Sequence, residues 1–180
     1  MAFTFTDPRL GMTPAVAQTV CAASLGALAA QGVNFRPGTR INGSDPTLGG
    51  AQFIFLPSIA SVVVGSLVRF IESASGNFTT TMVPNTGNLA QPVAVAMAAG
   101  AANTYGWFAV QGTVPIKKAA VKINSNVALY ISATTGRVTA AAACGKQILG
   151  MRSSNSASVV SATSTVTVTL NNPHMQGQIT

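Results

Sequence analysis

Hydrolytic or transfer chemistry needs titratable groups that the fold can bring together. This chain has one histidine, His174, and three carboxylates, Asp7, Asp45 and Glu72, far apart in sequence. His174 falls in 171–180, a stretch of turn signals with little periodicity. A Ser-His-Asp or Cys-His relay would require that tail to fold into a site, so His174 reads as a surface side chain on a flexible tail. No G-x-S-x-G, P-loop or G-x-G-x-x-G run occurs. Cys21 and Cys144 lack the close C-x-x-C spacing and neighbouring histidines of a zinc site, and they read as free thiols packed as small apolar groups. The residue types therefore predict no catalytic group, no cofactor and no metal, and the chain reads as a non-enzyme.

Charge points toward partners instead. Ten Lys/Arg give a net charge of +7, which suits an anionic surface or an acidic protein. The basic residues are scattered, and the one cluster is Lys117, Lys118 and Lys122. Adjacent Lys117 and Lys118 point to opposite faces of a strand, and no aromatics interleave with them to stack bases. Direct nucleic-acid binding is not expected; the cluster reads as a solvated or partner-facing cationic segment. Only 7% of the 180 residues are charged against 48% apolar, far from the usual quarter. A surface of hydroxyls, amides and small apolar groups is prone to association and suits an assembly subunit.

The elements that must carry these residues read as short strands. The organising stretch is 91–112, Q-P-V-A-V-A-M-A-A-G-A-A-N-T-Y-G-W-F-A-V-Q-G. It predicts a hairpin at the centre of a sheet, with Phe108 and Val110 on one face and Trp107, Ala109 and Gln111 on the other. The sole tryptophan, Trp107, reads as core or subunit interface ahead of an exposed recognition aromatic. Strands are predicted over 52–56, 61–64, 67–71, 77–83, 93–97, 106–111, 114–118, 127–132, 136–139, 147–152 and 165–170, separated by turn chemistry such as 84–88 and 134–136. β-branched enrichment, with no second long helical pattern, argues for an all-β barrel or sandwich. Within 165–170, Val166, Val168 and Leu170 are predicted to point inward.

The N-terminal third reads differently. Phe3 and Phe5 alternate with Thr4 and Thr6 in a short strand able to join its own sheet edge or a neighbour's. The spacing then predicts a helix over 13–32, with Thr13 as cap, Pro14 at the first position and Gly26 weakening it. Turn pairs at Pro37-Gly38, Asn42-Gly43, Asp45-Pro46 and Gly49-Gly50 mark 34–50 as loop. Ala27-Leu28-Ala29-Ala30 imitates a signal-cleavage site, but the preceding F-T-F-T-D-P and the diluted apolar run argue against export. No run approaches the roughly 20 apolar residues of a membrane span.

Several stretches in order resemble the capsid decoration (cement) proteins of tailed bacteriophages: F-T-F-T-D-P-R-L-G-M, D-P-T-L-G-G-A-Q-F-I-F-L, V-V-V-G-S-L-V, P-V-A-V-A-M, Y-G-W-F-A-V-Q-G and V-A-L-Y-I-S-A-T-T-G-R-V. The resemblance implies a small antiparallel β-barrel or sandwich, jelly-roll or tulip-like, over 51–170. It also implies an extended N-terminal arm over 1–50 that reaches across neighbouring capsid subunits. The implied protein sits on the outer surface of the virion head, is assembled in the bacterial host cytoplasm, and cements adjacent major capsid protein subunits after head expansion. Self-association is expected, as a trimer ahead of a dimer, with no membrane partner. Interface residues expected on this basis are Phe3, Phe5, Arg9, Leu10, Arg36, Arg40, Trp107, Lys117 and Lys118. Core packing for the two phenylalanines and simple solvation for the arginines stand as alternatives. The competing function is a receptor- or glycan-binding module of a virion appendage, marked by an exposed Trp107 or Tyr105.

Overall fold

Tyr105–Lys117 forms one strand of 13 residues around which the molecule is built. The computed structural model describes residues 3–5 and 35–178. Among them every regular element is a strand, in one antiparallel curled sheet: β1 Thr4–Phe5, β2 Arg40–Asp45, β3 Gly49–Pro57, β4 Leu67–Glu72, β5 Phe78–Met82, β6 Val93–Ala96, β7 Tyr105–Lys117, β8 Ala128–Ile131, β9 Val138–Thr139, β10 Gln147–Ser153 and β11 Thr165–Met175. The order is β1-β2-β3-β7-β11-β10-β8-β9, with β5-β4-β6 branching from β7. The sheet is a half-barrel, and a single bridge from Lys118 to Val138 brings its far end back to the end of β7.

Over 53–56 of β3 and 106–110 of β7 both faces are buried, as their near-continuous apolar text requires. Phe53 and Phe55 of β3, with Trp107 and Ala109 of β7, enter a large core that also holds Val114, Ile116, Val166, Val168, Leu129 and Ile148. Ile54 and Leu56, with Phe108 and Val110, enter a second core closed by Val68 and Phe70 of β4 and by Phe78 and Met82. The predicted hairpin is present, with Val95 opposite Ala109 and Ala96 opposite Phe108. Its longer strand lies in mid-sheet. Val166, Val168 and Leu170 are buried as the alternation predicts.

A β-bulge changes the pattern on β7. Phe53 pairs with Ala109 but the adjacent Gln52 pairs with Gln111, so Val110 and Gln111 together oppose one residue of β3. Gln111 is thereby moved to the face opposite the one predicted from alternation, the face of Phe108 and Val110. Gly112 follows with φ of +101°, and a Cβ there would lie 2.5 Å from the Gly50 carbonyl oxygen, so only glycine lets β3 and β7 stay paired through the bulge.

Several boundaries differ from expectation. Residues 112–113 were expected to separate two strands, yet the bulge lets one strand run through. Residues 61–64 form turns, not a strand: Ser61 has φ of +79°, Val62 is buried, and Val63 and Val64 are 40% and 45% exposed. The β-branched run does not alternate, so it has no single face to give a sheet. Residues 40–45, expected as loop within the arm, form β2, because β3 and β1 flank them and use their backbone groups. Residues 171–175, expected in a flexible tail, continue β11 with Met175 fully buried. The predicted 13–32 helix lies outside the described residues.

Candidate functional site

The residues expected to face partners do not form one patch among the described residues. Phe3 is buried and packs edge-on against Phe53 at 5.3 Å. Thr4 and Phe5 pair with Ser44 and Gly43, so the first strand joins this chain's own sheet edge. The core alternative therefore holds for Phe3. Trp107 is 1% exposed, 5.0 Å from Phe55 and 5.3 Å from Phe35 in ring-centroid distance. It is core, and the expectation of a Trp107 interface is corrected. Tyr105 is half-buried and stacks on Phe55. Arg9, Leu10 and Cys21 lie outside the described residues.

The two neighbouring lysines have opposite fates. Lys117 is half-exposed, whereas Lys118 is fully buried. The Lys118 Nζ donates to the carbonyl oxygens of Val121 at 2.7 Å, Ala119 at 3.1 Å and Ser161 at 3.4 Å, one for each ammonium proton. Lys118 is thus a structural tie between the 119–121 and 161 segments, and the expectation that it meets a partner is corrected. Burial pushes its pKa below the ordinary lysine value of 10.5.

Arg36 is exposed in the turn before β2, and its carbonyl accepts from Thr39 N at 3.0 Å. Arg40 is exposed and donates to Gln52 Oε1 at 3.0 Å and Asn172 Oδ1 at 2.9 Å. It stands between the second core and a bare half of the same sheet face. Beyond it lies an open groove of about 810 Å³ lined by side chains of β2, β3, β7 and β11. Its floor carries an in-register row of primary amides: Asn42 opposite Gln52, Gln52 opposite Gln111, Gln111 opposite Asn171.

No protein-family model, curated protein or solved structure matches this chain. Site geometry and sequence resemblance are thus the grounds for a functional reading.

The remaining chemistry-bearing groups are dispersed. Asp45 is buried and caps a turn, accepting from Thr47 N at 2.8 Å and Leu48 N at 3.0 Å. Glu72 and Cys144 are exposed, and His174 is exposed on β11 opposite Leu149. No group of three or more His, Cys, Asp or Glu gathers among the described residues. The amide row escaped sequence reasoning because its members lie in four strands whose order and register are set by pairing. Asn42-Gly43, moreover, carries the text of a turn.

Proposed function

We propose that this chain is a non-enzymatic structural protein of a tailed-phage virion that binds the outer surface of the expanded head. There it cements adjacent major capsid protein subunits against the pressure of packaged DNA. The reading rests on the resemblance of its strand text to decoration proteins, and one structural observation carries it further. Phe3 is seated on Phe53 and Phe35 packs on Phe55 and Trp107, so the described residues on either side of 6–34 are anchored to the body. The arm is in this reading a segment tethered at both ends. Contacts it makes with a neighbouring capsid subunit then act at high effective concentration once the body has docked, and weak contacts multiply the affinity.

Surface charge supports the same partner. Nine of the described residues are Lys or Arg, and Glu72 is the exposed carboxylate among them. This favours an acidic outer capsid surface and makes binding salt-sensitive. Trimerisation at local threefold sites is the assembly expected of such a protein. The appendage reading has lost its aromatic carrier, since Trp107 is buried and Tyr105 stacks on Phe55.

The test is a pelleting titration of purified protein against expanded undecorated heads, with unexpanded procapsids and host cells alongside. Saturation at a fixed ratio to the major capsid protein on expanded heads alone is expected. Binding to cells and not to heads would reject cementing in favour of the appendage reading.

A further inference from the structure

Among the described residues, the sheet face shared by β2, β3, β7 and β11 is bare where β4 and β5 do not cover it. We propose that the amide groove on this bare half is a binding site for an uncharged oligosaccharide. The inference goes beyond head binding and does not rest on it.

Asn42, Gln111 and Asn171 are exposed and Gln52 is half-exposed, all in one cross-strand row. Adjacent strands lie about 4.8 Å apart, so the three steps of the row span about 14 Å. Thr169 and Ser44 add hydroxyls beside it. A Cβ built on Gly50 would meet nothing within 4 Å, so the absent side chain leaves the floor open. The groove's volume falls within the ~300–1,000 Å³ typical of small-molecule sites.

Arg40 can only donate, so its bond to Gln52 Oε1 fixes which end of that amide is oxygen. The Nε2 end then donates to Asn42 Oδ1 at 3.3 Å. One end of the row is therefore held in place by the arginine that also reaches Asn172. The side chains of Gln111 and Asn171 hydrogen-bond no side chain among the described residues, and both are exposed. Half of the row is preset and half is open to a ligand.

Each primary amide presents two N–H donors beside a two-lone-pair acceptor. A pair of adjacent sugar hydroxyls, each able to donate and accept, matches that arrangement at Gln111 and Asn171, the open half of the row. The groove lining contains no carboxylate, lysine or arginine, which disfavours a metal-bridged or charge-held ligand. A protein partner fits less well, because an aromatic and apolar interface core would leave the Gln111 and Asn171 amides without hydrogen bonds.

The experiment uses the full chain, with saturation-transfer difference NMR and calorimetric titration against three linear uncharged probes: maltotetraose, cellotetraose and chitotetraose. At least one should receive saturation. Its affinity should fall about tenfold or more in the Gln111→Ala/Asn171→Ala variant, the loss of one to two hydrogen bonds. It should be unchanged in Lys122→Ala, an exposed site away from the groove. Both altered amides are exposed, and an unchanged melting temperature confirms that the variant is folded. Absence of transfer from all three probes overturns the proposal, as does equal binding by the double variant. Binding only to heparin, abolished by salt, overturns it in favour of charge. A change of the double variant from oligomer to monomer overturns it in favour of a subunit interface. Pelleting of the same variant on expanded heads reads the cementing function separately.

Discussion

On one face of β3 and β7, Ile54, Leu56, Phe108 and Val110 are sealed from water by β4 and β5; one register step along, on the same face, Gln52 and Gln111 stand open. The two halves share strands, twist and backbone pairing. They differ in what lies above them among the described residues, and side-chain chemistry follows: branched apolar groups where a second layer packs, amides and hydroxyls where none of those residues does. The bulge at Val110-Gln111 marks the change, because it places an apolar and a polar residue side by side on one face. A sheet can thus be structural over half of its area and available for recognition over the rest.

The comparison is sharpened first by truncating its covered half. Phe108→Ala should cost about 3–5 kcal/mol, and Trp107→Ala in the core beneath a similar amount, read as a shift in urea midpoint at constant slope. A loss below about 1 kcal/mol for Phe108 would show that β4 and β5 do not seal that half. At the junction, Gly112→Ala should lower stability by about 1–3 kcal/mol, since φ is +101° and the new Cβ would press on the Gly50 carbonyl. Calorimetric melting of that variant would register an unstrained bulge as no change.

Lys118→Met leaves three carbonyls without their donor and should cost about 1–3 kcal/mol. Its pH signature is distinctive. Because burial holds the folded-state pKa below 10.5, the unfolded chain binds more protons in the window between the two values. The Lys118 contribution to stability therefore increases as pH rises through that window and levels off above 10.5. Urea midpoints of wild type minus Lys118→Met should grow with pH across it, and a flat difference would place the ammonium in contact with solvent. Smallest of all, Gln111→Ala on the bare half should change stability by no more than about 0.5 kcal/mol. A larger loss would mean that the amide row holds the sheet together.

The strand pattern was largely legible in the sequence, for a physical reason. Residues such as Phe53, Val95 and Val166 must alternate or run together to bury a face, and that leaves a mark in the text. What pairing alone decides left no mark. Asn42-Gly43 is turn chemistry in isolation, yet it sits inside β2 because strands lie on both sides of it. Val62, Val63 and Val64 look like a strand but have no partner strand. Opposite faces for Lys117 and Lys118 followed from strand geometry. That one of them would be enclosed by carbonyls depends on Ser161, 43 residues away. The groove is the extreme case, four residues from four strands with no common motif.

The central position of β7 has a consequence for synthesis. Its partners are emitted far apart in time: β3 precedes it by some fifty residues, and β11 follows by as many. When β7 leaves the ribosome it can join β3 and β6, but the edge at Val114 and Ile116 lacks its β11 partner until 165–171 are made. A sheet assembled from such distant pieces folds slowly, on the millisecond-to-second scale. During translation the chain therefore carries an open, apolar strand edge, and early release or truncation before β11 would turn this protein into a template for aggregation.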